Sequence, residues 1–232
     1  MGIQVQSTVA GSTYKVYNNS VFLNATSTGT NFGTTGLFHS GSTTATTAAL
    51  DMANNIIINQ STATGTGLTA AFRRTLATFE NYASTSNRNL LFAGTPSATN
   101  VILNDGTTSF QTINDFKTQV APREILSFTR EGSFAFETPG SYFISLTPTS
   151  ADYLKPVAGI TTQAESGGAS FPALFTTDFI GVTRGSNPDL GALEFAGNSP
   201  APSIVLNSVA PPASQQCTTT SRLVSATVTT PS

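Results

Sequence analysis

The apolar positions along this chain occur in short runs separated by loops rich in Thr, Ser and Gly. No run exceeds about six residues or shows the i, i+3, i+4 spacing of an amphipathic helix. β-Branched and aromatic side chains dominate the runs and fit a pleated surface, so they predict strands. The predicted strands are STYKVY (12–17), SVFLN (20–24), TGLFHS (35–40), AALDM (48–52), NIIIN (55–59), NVILND (100–105), SFQTINDF (109–116) and SYFISLT (141–147).

Two segments invite a helical interpretation. The stretch 108–119, which overlaps one strand candidate, can form one short helix over Asn114–Gln119, with Thr112 as its capping residue. The stretch AFRRTLATFE (71–80) has no strong cap, and we therefore predict a loop or a single turn there.

Two asparagine pairs introduce apolar runs at a regular interval. Asn18 and Asn19 precede one run, Asn54 and Asn55 precede the next, and NRNLLFAG (87–94) repeats the pattern loosely. A repeat of about 20–50 residues indicates stacked supersecondary units. Asn tolerates a left-handed backbone and its amide can bond neighbouring backbone, so each pair predicts a sharp bend between consecutive strands.

Stacking of such units predicts an all-β fold, a parallel β-helix with loops inserted on one side. At the usual strand spacing of about 4.8 Å, the asparagine amides of successive units can bond one another. In this interpretation Val21 and Leu23, and then Ile56 and Ile58, point into a shared interior.

These phrases resemble a known family. YNNSVFLN (17–24) and MANNIIIN (52–59) are similar to coils of right-handed parallel β-helix proteins, the pectate-lyase-like superfamily, as found in large secreted bacterial surface proteins. YFISLTPTSADYLKPVAGI (142–160) is similar to a late-coil phrase of that family. TDFIGVTRGSNPDLGALEFAG (177–197) resembles its terminal signature, D-x-x-G-x-x-R followed by D-[IL]-G-A-x-E-[FY]. The resemblance spans about residues 10–196.

The terminal signature holds the densest cluster of ionisable side chains in the chain. We interpret it as a cap over the last coil, in which an Arg forks between carboxylates. Calcium is the alternative, because hard cations take several oxygens, but Arg184 would compete for the same groups. We expect no bound metal or cofactor, with Asp178, Asp189 and Glu194 as the candidates if Ca²⁺ binds. The cap would use Asp178, Gly181, Arg184, Asp189, Gly191 and Glu194, with Leu190, Leu193 and Phe195 as its apolar plug.

Composition and charge narrow the classes of function. Only 9% of the 232 residues are charged and the net charge is −2, so no basic surface is available to neutralise nucleic acid phosphates. No apolar run approaches the roughly 18–20 residues that span a membrane. The Thr- and Ser-rich composition is typical of an extracellular or cell-surface protein, yet no secretory signal is visible at the start. We therefore expect a piece of a longer polypeptide with further domains on both sides.

The texture of the sequence predicts three regions. Residues 1–196 form the C-terminal portion of the β-helix, 197–216 a Pro-rich linker, and 217–232 the start of a truncated second domain whose opening resembles an immunoglobulin-like module. In that start, SRLVSATVTT (221–230) predicts one alternating strand of an incomplete β-sandwich. Cys217 is the only cysteine, so no disulfide can close within the chain. A pairing with a cysteine outside this sequence is the alternative to a free thiol.

Catalytic chemistry finds little support in the sequence. A lyase needs a base beside groups that neutralise a uronate carboxylate, and a hydrolase needs two carboxylates at a defined separation. Along residues 10–94 the only acids are Asp51 and Glu80, and no coil there shows carboxylates at i and i+2 or at the repeat interval. We interpret His39 as a surface residue and Arg73–Arg74 as a solvated loop rather than a substrate clamp. The remaining charged candidates, expected on a connecting loop at the surface, are Glu124, Arg130 and Glu131.

Glycan binding without cleavage remains the favoured activity. The aromatic candidates for sugar stacking are Phe38, Tyr82, Tyr142 and Tyr153, although core packing is the simpler role for each, and the chain has no Trp. The sequence thus predicts a non-catalytic module of a secreted or cell-surface bacterial protein, acting in adhesion, display or contact with a polysaccharide or cell-surface glycan. The alternative is the C-terminal end of a polysaccharide lyase or glycoside hydrolase whose active coils lie upstream.

Overall fold

The computed structural model describes residues 1–132 and 134–200, and beyond them the backbone of two strands. Its one helix within these residues, α1, spans Ile113–Val120. The strands are β1 (Ile3–Val5), β2 (Thr13–Tyr17), β3 (Ser20–Leu23), β4 (Thr34–His39), β5 (Ala49–Ala53), β6 (Ile56–Asn59), β7 (Thr69–Arg74), β8 (Leu90–Phe92), β9 (Asn100–Asn104), β10 (Ser109–Phe110), β11 (Ser203–Leu206) and β12 (Ala226–Thr229).

Most predicted strands are confirmed, and two local predictions are wrong. The predicted loop at 71–80 contains most of β7, which pairs with β4 on one side and β9 on the other. Residues 141–147 make only isolated bridges. In both segments tertiary pairing decides the backbone, which local propensity cannot foresee. The predicted helix is confirmed, because the Thr112 side chain accepts a hydrogen bond from the backbone N–H of Asp115.

Three parallel sheets are built from successive passes of the chain. β1, β4, β7 and β9 form the first, β2 and β5 the second, and β3, β6 and β8 the third. Register partners such as Thr13 and Ala49, or Ser20 and Ile56, lie one pass apart in sequence. We call residues 3–23 repeat 1, residues 34–59 repeat 2 and residues 69–92 repeat 3. The all-β prediction is confirmed for this class of fold, and the sheets are parallel as expected.

The core between the sheets takes side chains from all three. A single cluster, which we call the inner cluster, buries one side chain from each sheet of repeat 2: Leu37, Leu50 and Ile57. Val21 packs against the same cluster because it is the register partner of Ile57. Because side chains alternate along a strand, every second residue points inward.

The predicted inward set of the third sheet is wrong by one residue in repeat 2. Ile56 and Ile58 belong to a second cluster on the opposite face of the sheet, together with Leu90 and Phe92. The asparagine pairs are aligned, which places Ile57, not Ile56 or Ile58, beside Val21. Because side chains alternate with period 2, a shift of one position moves the whole set to the other face.

This second cluster, called the outer cluster below, is covered by long irregular stretches at about 128–132 and 134–195, which together we call the outer segment. Phe136, Tyr142 and Phe143 are buried in it and pack edge to face at centroid distances of 4.9–5.0 Å. The third sheet is therefore buried on both faces, which explains why β6 is apolar over Ile56–Ile58 without alternation.

The core is closed beyond β9 by α1 and β10. Phe116 and Val120 of α1 are fully buried in the inner cluster, and the Phe116 ring meets the Phe72 ring at 6.2 Å. β10 pairs antiparallel with β9 and so occupies its free edge. At the opposite end, β1, β2 and β3 pair on one side only in the described part of the chain.

The predicted regions after 196 fall largely on residues that the structure does not describe. Within the predicted linker, β11 pairs antiparallel with β12, which lies inside the predicted strand near the C-terminus. Cys217 and the rest of the predicted immunoglobulin-like start lie outside the described residues. The boundaries 1–196, 197–216 and 217–232 stay predictions.

Candidate functional site

The asparagine pairs occupy the bends between the second and third sheets. Asn18 and Asn54 have φ of 55° and 57°, the left-handed conformation that Asn tolerates better than most residues. In repeat 3 the same position is held by Arg88, with φ of 59°. Its neighbour Asn87 accepts hydrogen bonds from the backbone N–H groups of Arg88 and Leu126. The bend is thus retained in repeat 3 without the asparagine.

The second asparagine of each pair forms a continuous column of amides through the repeats. The Asn55 Oδ1 atom accepts from the backbone and side-chain N–H groups of Asn19 at 3.0 and 2.9 Å. Asn89 Oδ1 accepts from the same two groups of Asn55 at 3.0 and 2.8 Å. Asn55 and Asn89 are fully buried. Because both ends of the Asn55 and Asn89 amides bond the chain itself, the column holds the repeats together and leaves no amide group free in repeats 2 and 3.

A buried carboxylate ends the column. Glu124, predicted as a surface charge, is fully buried and accepts hydrogen bonds from Asn89, from the Tyr82 hydroxyl and from Ser127. Burial raises the pKa of Glu124, against the lowering effect of these donors. Burial likewise raises the pKa of Tyr82 well above its ordinary value, and the Glu124 charge adds to that rise. The surface prediction for Glu124 is wrong because its donors converge only after folding.

A second buried polar cluster lies at the ends of β4 and β7. His39 and Arg74, predicted at the surface and in a solvated loop, are both fully buried and are register partners. His39 bonds the Ala48 carbonyl at 2.7 Å through Nε2 and contacts Arg74 through Nδ1. Arg74 also donates to Asn81 Oδ1 at 3.0 Å. Burial and the Arg74 charge lower the pKa of His39 to about 3.

The geometry of the His39–Arg74 cluster fits a structural role, because its polar groups bond one another and the backbone. Burial lowers the pKa of Arg74 to about 10. With Nε2–H donating to Ala48, the imidazole Nδ1 lone pair faces the guanidinium, which fixes a neutral imidazole. Arg73, the neighbour of Arg74 on the other face of β7, is exposed as predicted. The spacing of His39 and Arg74 equals the repeat interval, and this was the signal in the sequence that could have paired them.

The terminal signature forms a hydrogen-bonded network, called the signature network below, in which its ionisable groups bind its own backbone. Arg184 donates to Glu194 Oε1 at 2.5 Å and to the carbonyls of Asp189 and Gly191 at 3.0 and 2.8 Å. Asp178 accepts from the N–H groups of three residues of the segment, including Glu194 at 2.9 Å. The four side chains named in the sequence are therefore brought together. Their partners are mostly backbone, and this geometry matches a structural role.

The carboxylates of the signature network are partly shielded from water. Burial raises the pKa of Asp189 to about 6 and that of Glu194 to about 7, while Arg184 pulls both downward. Asp189 accepts from the N–H groups of Ser166 and Phe195, each at 2.7 Å. In the described part of the chain, no three His, Cys, Asp or Glu side chains are grouped as a metal site would require.

The signature network lies along the side of repeats 1 and 2 rather than over the last repeat. The Gly191 N–H donates to the Asn54 carbonyl at 2.7 Å, and the Ala192 N–H donates to Ser20 Oγ at 3.0 Å. Gly191 has φ of 87°, and a Cβ there would lie 2.8 Å from Ile56 Cδ1, so both backbone and space require glycine. The interpretation as an end cap is thus corrected. The helix α1 closes the end, and the signature clamps the flank.

The other signature positions also serve packing. Gly181 has a positive φ of 92°, a backbone conformation that favours glycine. Leu190 and Leu193 are buried, and Leu190 lies in the outer cluster with Phe195 packed against it. The amide of Asn54 bonds this flank as well, accepting from the Ala169 N–H at 2.9 Å. Long-range contacts of this kind have no local signal in the sequence.

The aromatic sugar-stacking candidates are mostly inside the protein. Tyr82 and Tyr142 are buried, one in each cluster, so neither ring face is free for a ligand. Phe38 and Tyr153 are half-buried. Glu131, predicted on the surface, accepts hydrogen bonds from Thr162 and Gln163 and joins two parts of the outer segment.

An open cleft of about 450 Å³ lies where the loops after β6 and β8 meet the outer segment. Arg130 enters it with its guanidinium carbon 5.3 Å from the centroid of the Phe92 ring. Gln60 and Glu137 form another wall and are joined by a hydrogen bond of 2.6 Å. Thr95 completes this set of outward-facing polar groups. Sequence reasoning assigned no role to this cleft, because its residues come from three distant segments.

Comparisons with known proteins give no relative: neither a family model, nor a curated protein, nor a solved structure matches this chain. The resemblance to the pectate-lyase-like superfamily therefore stays a prediction. Within the described residues, no helix has the length and apolar character needed to cross a membrane.

Proposed function

We propose that the three repeats are coils of a right-handed parallel β-helix that serves as a non-catalytic module of a secreted or cell-surface protein, in contact with glycans. Support for the coil comes from the in-register parallel pairing of three sheets by successive passes of the chain. The asparagine column bonds one pass to the next and has the geometry expected of a solenoid.

The observation that favours a scaffold over a catalyst is the use made of the charged groups. His39, Arg74 and Glu124 are buried against protein donors and acceptors, and Arg184 is engaged with Glu194 and backbone. A general base must reach a substrate proton within hydrogen-bonding distance, and the buried side chains are turned inward. The exposed surface, by contrast, is rich in hydroxyl and amide groups, which are the groups that hydrogen-bond sugar hydroxyls.

The test pairs a binding assay with a cleavage assay on one panel of polysaccharides. The purified chain is run through gels containing each polysaccharide, and the same samples are assayed with and without Ca²⁺ for unsaturated uronates and reducing ends. We expect retardation by at least one polysaccharide and no product. Product release would favour the lyase or hydrolase alternative. Mobility unchanged across the panel would overturn the proposed glycan contact.

A further inference from the structure

The Arg130 guanidinium is a cation without a hydrogen-bond acceptor among the described residues. Its central carbon lies 5.3 Å from the centroid of the Phe92 ring, within the range of cation–π attraction. None of the hydrogen bonds or ion pairs formed among the described residues uses its N–H groups. A planar guanidinium offers five donors in a fixed fork. In this cleft those donors are available to a ligand.

The opposite wall of the cleft supplies acceptors. The hydrogen bond from Gln60 lowers the pKa of Glu137, and the positive charge of Arg130 adds to this effect, so the carboxylate is ionised at neutral pH. Gln60 gives its Nε2 to that carboxylate, while its Oε1 atom is buried and has no hydrogen-bond partner within the described structure. A buried acceptor without a partner costs free energy that a hydroxyl donor would recover.

The two charges share the cleft without touching. Arg130 influences the pKa of Glu137, yet in the described part of the chain no ion pair within 4 Å joins them. A group placed between them must accept from the guanidinium and donate to the carboxylate. A hydroxyl does both, and two adjacent hydroxyls can engage both walls at once. A carboxylate ligand would satisfy Arg130 but would meet the like charge of Glu137.

We infer that this cleft is a binding site for a neutral saccharide, whose vicinal hydroxyls bridge Arg130 and Glu137. The inference rests on the proposed glycan contact and specifies where and what the module binds. The volume of the cleft lies within the roughly 300–1,000 Å³ usual for ligand sites. A smaller cavity of about 230 Å³ adjoins it and shares Phe92 and Arg130, and its wall includes Ile102 and Ile113. These apolar side chains suit the C–H face of a sugar ring.

The experiment is calorimetric titration of the full chain with cellotetraose, maltotetraose, mannotetraose, galactotetraose and tetragalacturonate. Two variants test the cleft, Arg130→Gln and Glu137→Gln, and Arg73→Gln is the matched control because Arg73 is an exposed arginine on β7 that does not line the cleft. We expect one neutral tetrasaccharide to bind and both cleft variants to weaken it by about 10- to 100-fold, the size of a lost charged hydrogen bond. Arg130 and Glu137 are both exposed, so neither substitution disturbs the packed core.

The outcomes separate the two proposals. Neutral binding that is weakened in both cleft variants and kept in the control supports the site. Equal affinity in all variants would overturn the cleft and leave the proposed glycan contact standing. Binding of tetragalacturonate alone would overturn the neutral ligand class. If no saccharide in this panel or the gel panel binds, the proposed glycan contact itself is overturned.

Discussion

Replacing Asn55 with leucine tests whether the asparagine column holds the repeats together. The amide of Asn55 makes four hydrogen bonds: Nδ2 donates to Val16 O and Asn89 Oδ1, and Oδ1 accepts from the two N–H groups of Asn19. Leucine has a similar shape but neither donates nor accepts. At about 1 kcal/mol net for each bond, partly offset by burial of an apolar side chain, we expect a loss of about 3 kcal/mol.

The matched control is the same substitution at the first position of the column. Asn19 is only half-buried, its Nδ2 makes two bonds, and its Oδ1 accepts none among the described residues. Asn19→Leu should therefore cost about 1 kcal/mol. Urea unfolding followed by far-ultraviolet circular dichroism gives both free energies by linear extrapolation. A change within about 0.5 kcal/mol for Asn55→Leu, or a larger loss at Asn19, would refute the reasoning.

Three further predictions concern the titration of His39, the Arg184–Glu194 pair of the signature network and the free edge of β2. His39 is the only histidine. Because its pKa is lowered, the stability it contributes is complete above about pH 6.5 and is lost as the pH falls toward 3. NMR should show a neutral imidazole from pH 8 to 5, and a normal titration near 6.5 would contradict the buried cluster. Arg184→Met should lower the free energy of unfolding by about 3 kcal/mol at pH 8, because Glu194 is left charged and without its partner. The loss should be smaller at pH 5, where the raised pKa of Glu194 keeps it protonated. Equal losses at pH 8 and pH 5, measured by urea unfolding, would show that the interaction of Arg184 with Glu194 is not electrostatic. Lys15→Pro should reduce self-association in analytical ultracentrifugation, since the N–H of Lys15 lies on the unpaired side of β2; unchanged association would mean that this edge is not the contact.

The repeated part of the fold was predictable because one physical pattern recurs. Asn18 and Asn54 combine a residue that tolerates a left-handed bend with a fixed interval to the next apolar run, and both signals survive in the sequence. The same interval pairs His39 with Arg74, so their contact was implicit in the spacing. The inward face of β6 was missed, because Ile56–Ile58 is apolar on both faces and only strict alignment of the pairs selects Ile57.

The remaining features depend on contacts that no local pattern records. Glu124 is buried by donors that include Tyr82, 42 residues earlier. The signature binds Ser20 and Asn54 through Ala192 and Gly191, more than a hundred residues later. Its motif indicated a structural role, but the predicted cap over the last coil was wrong because the segment binds the side of repeats 1 and 2. The cleft at Arg130 likewise joins loops of two repeats to the outer segment.

Native-state hydrogen exchange of the asparagine side chains tests the central claim, that the column builds the scaffold and is not a recognition surface. The Nδ2 protons of Asn55 and Asn89 are buried and bonded to the chain. We predict that they exchange only through global unfolding, with protection equal to that of the core strands, and that saccharides leave them unshifted. Rapid exchange at both positions, or shifts of these protons on addition of saccharide, would contradict the account.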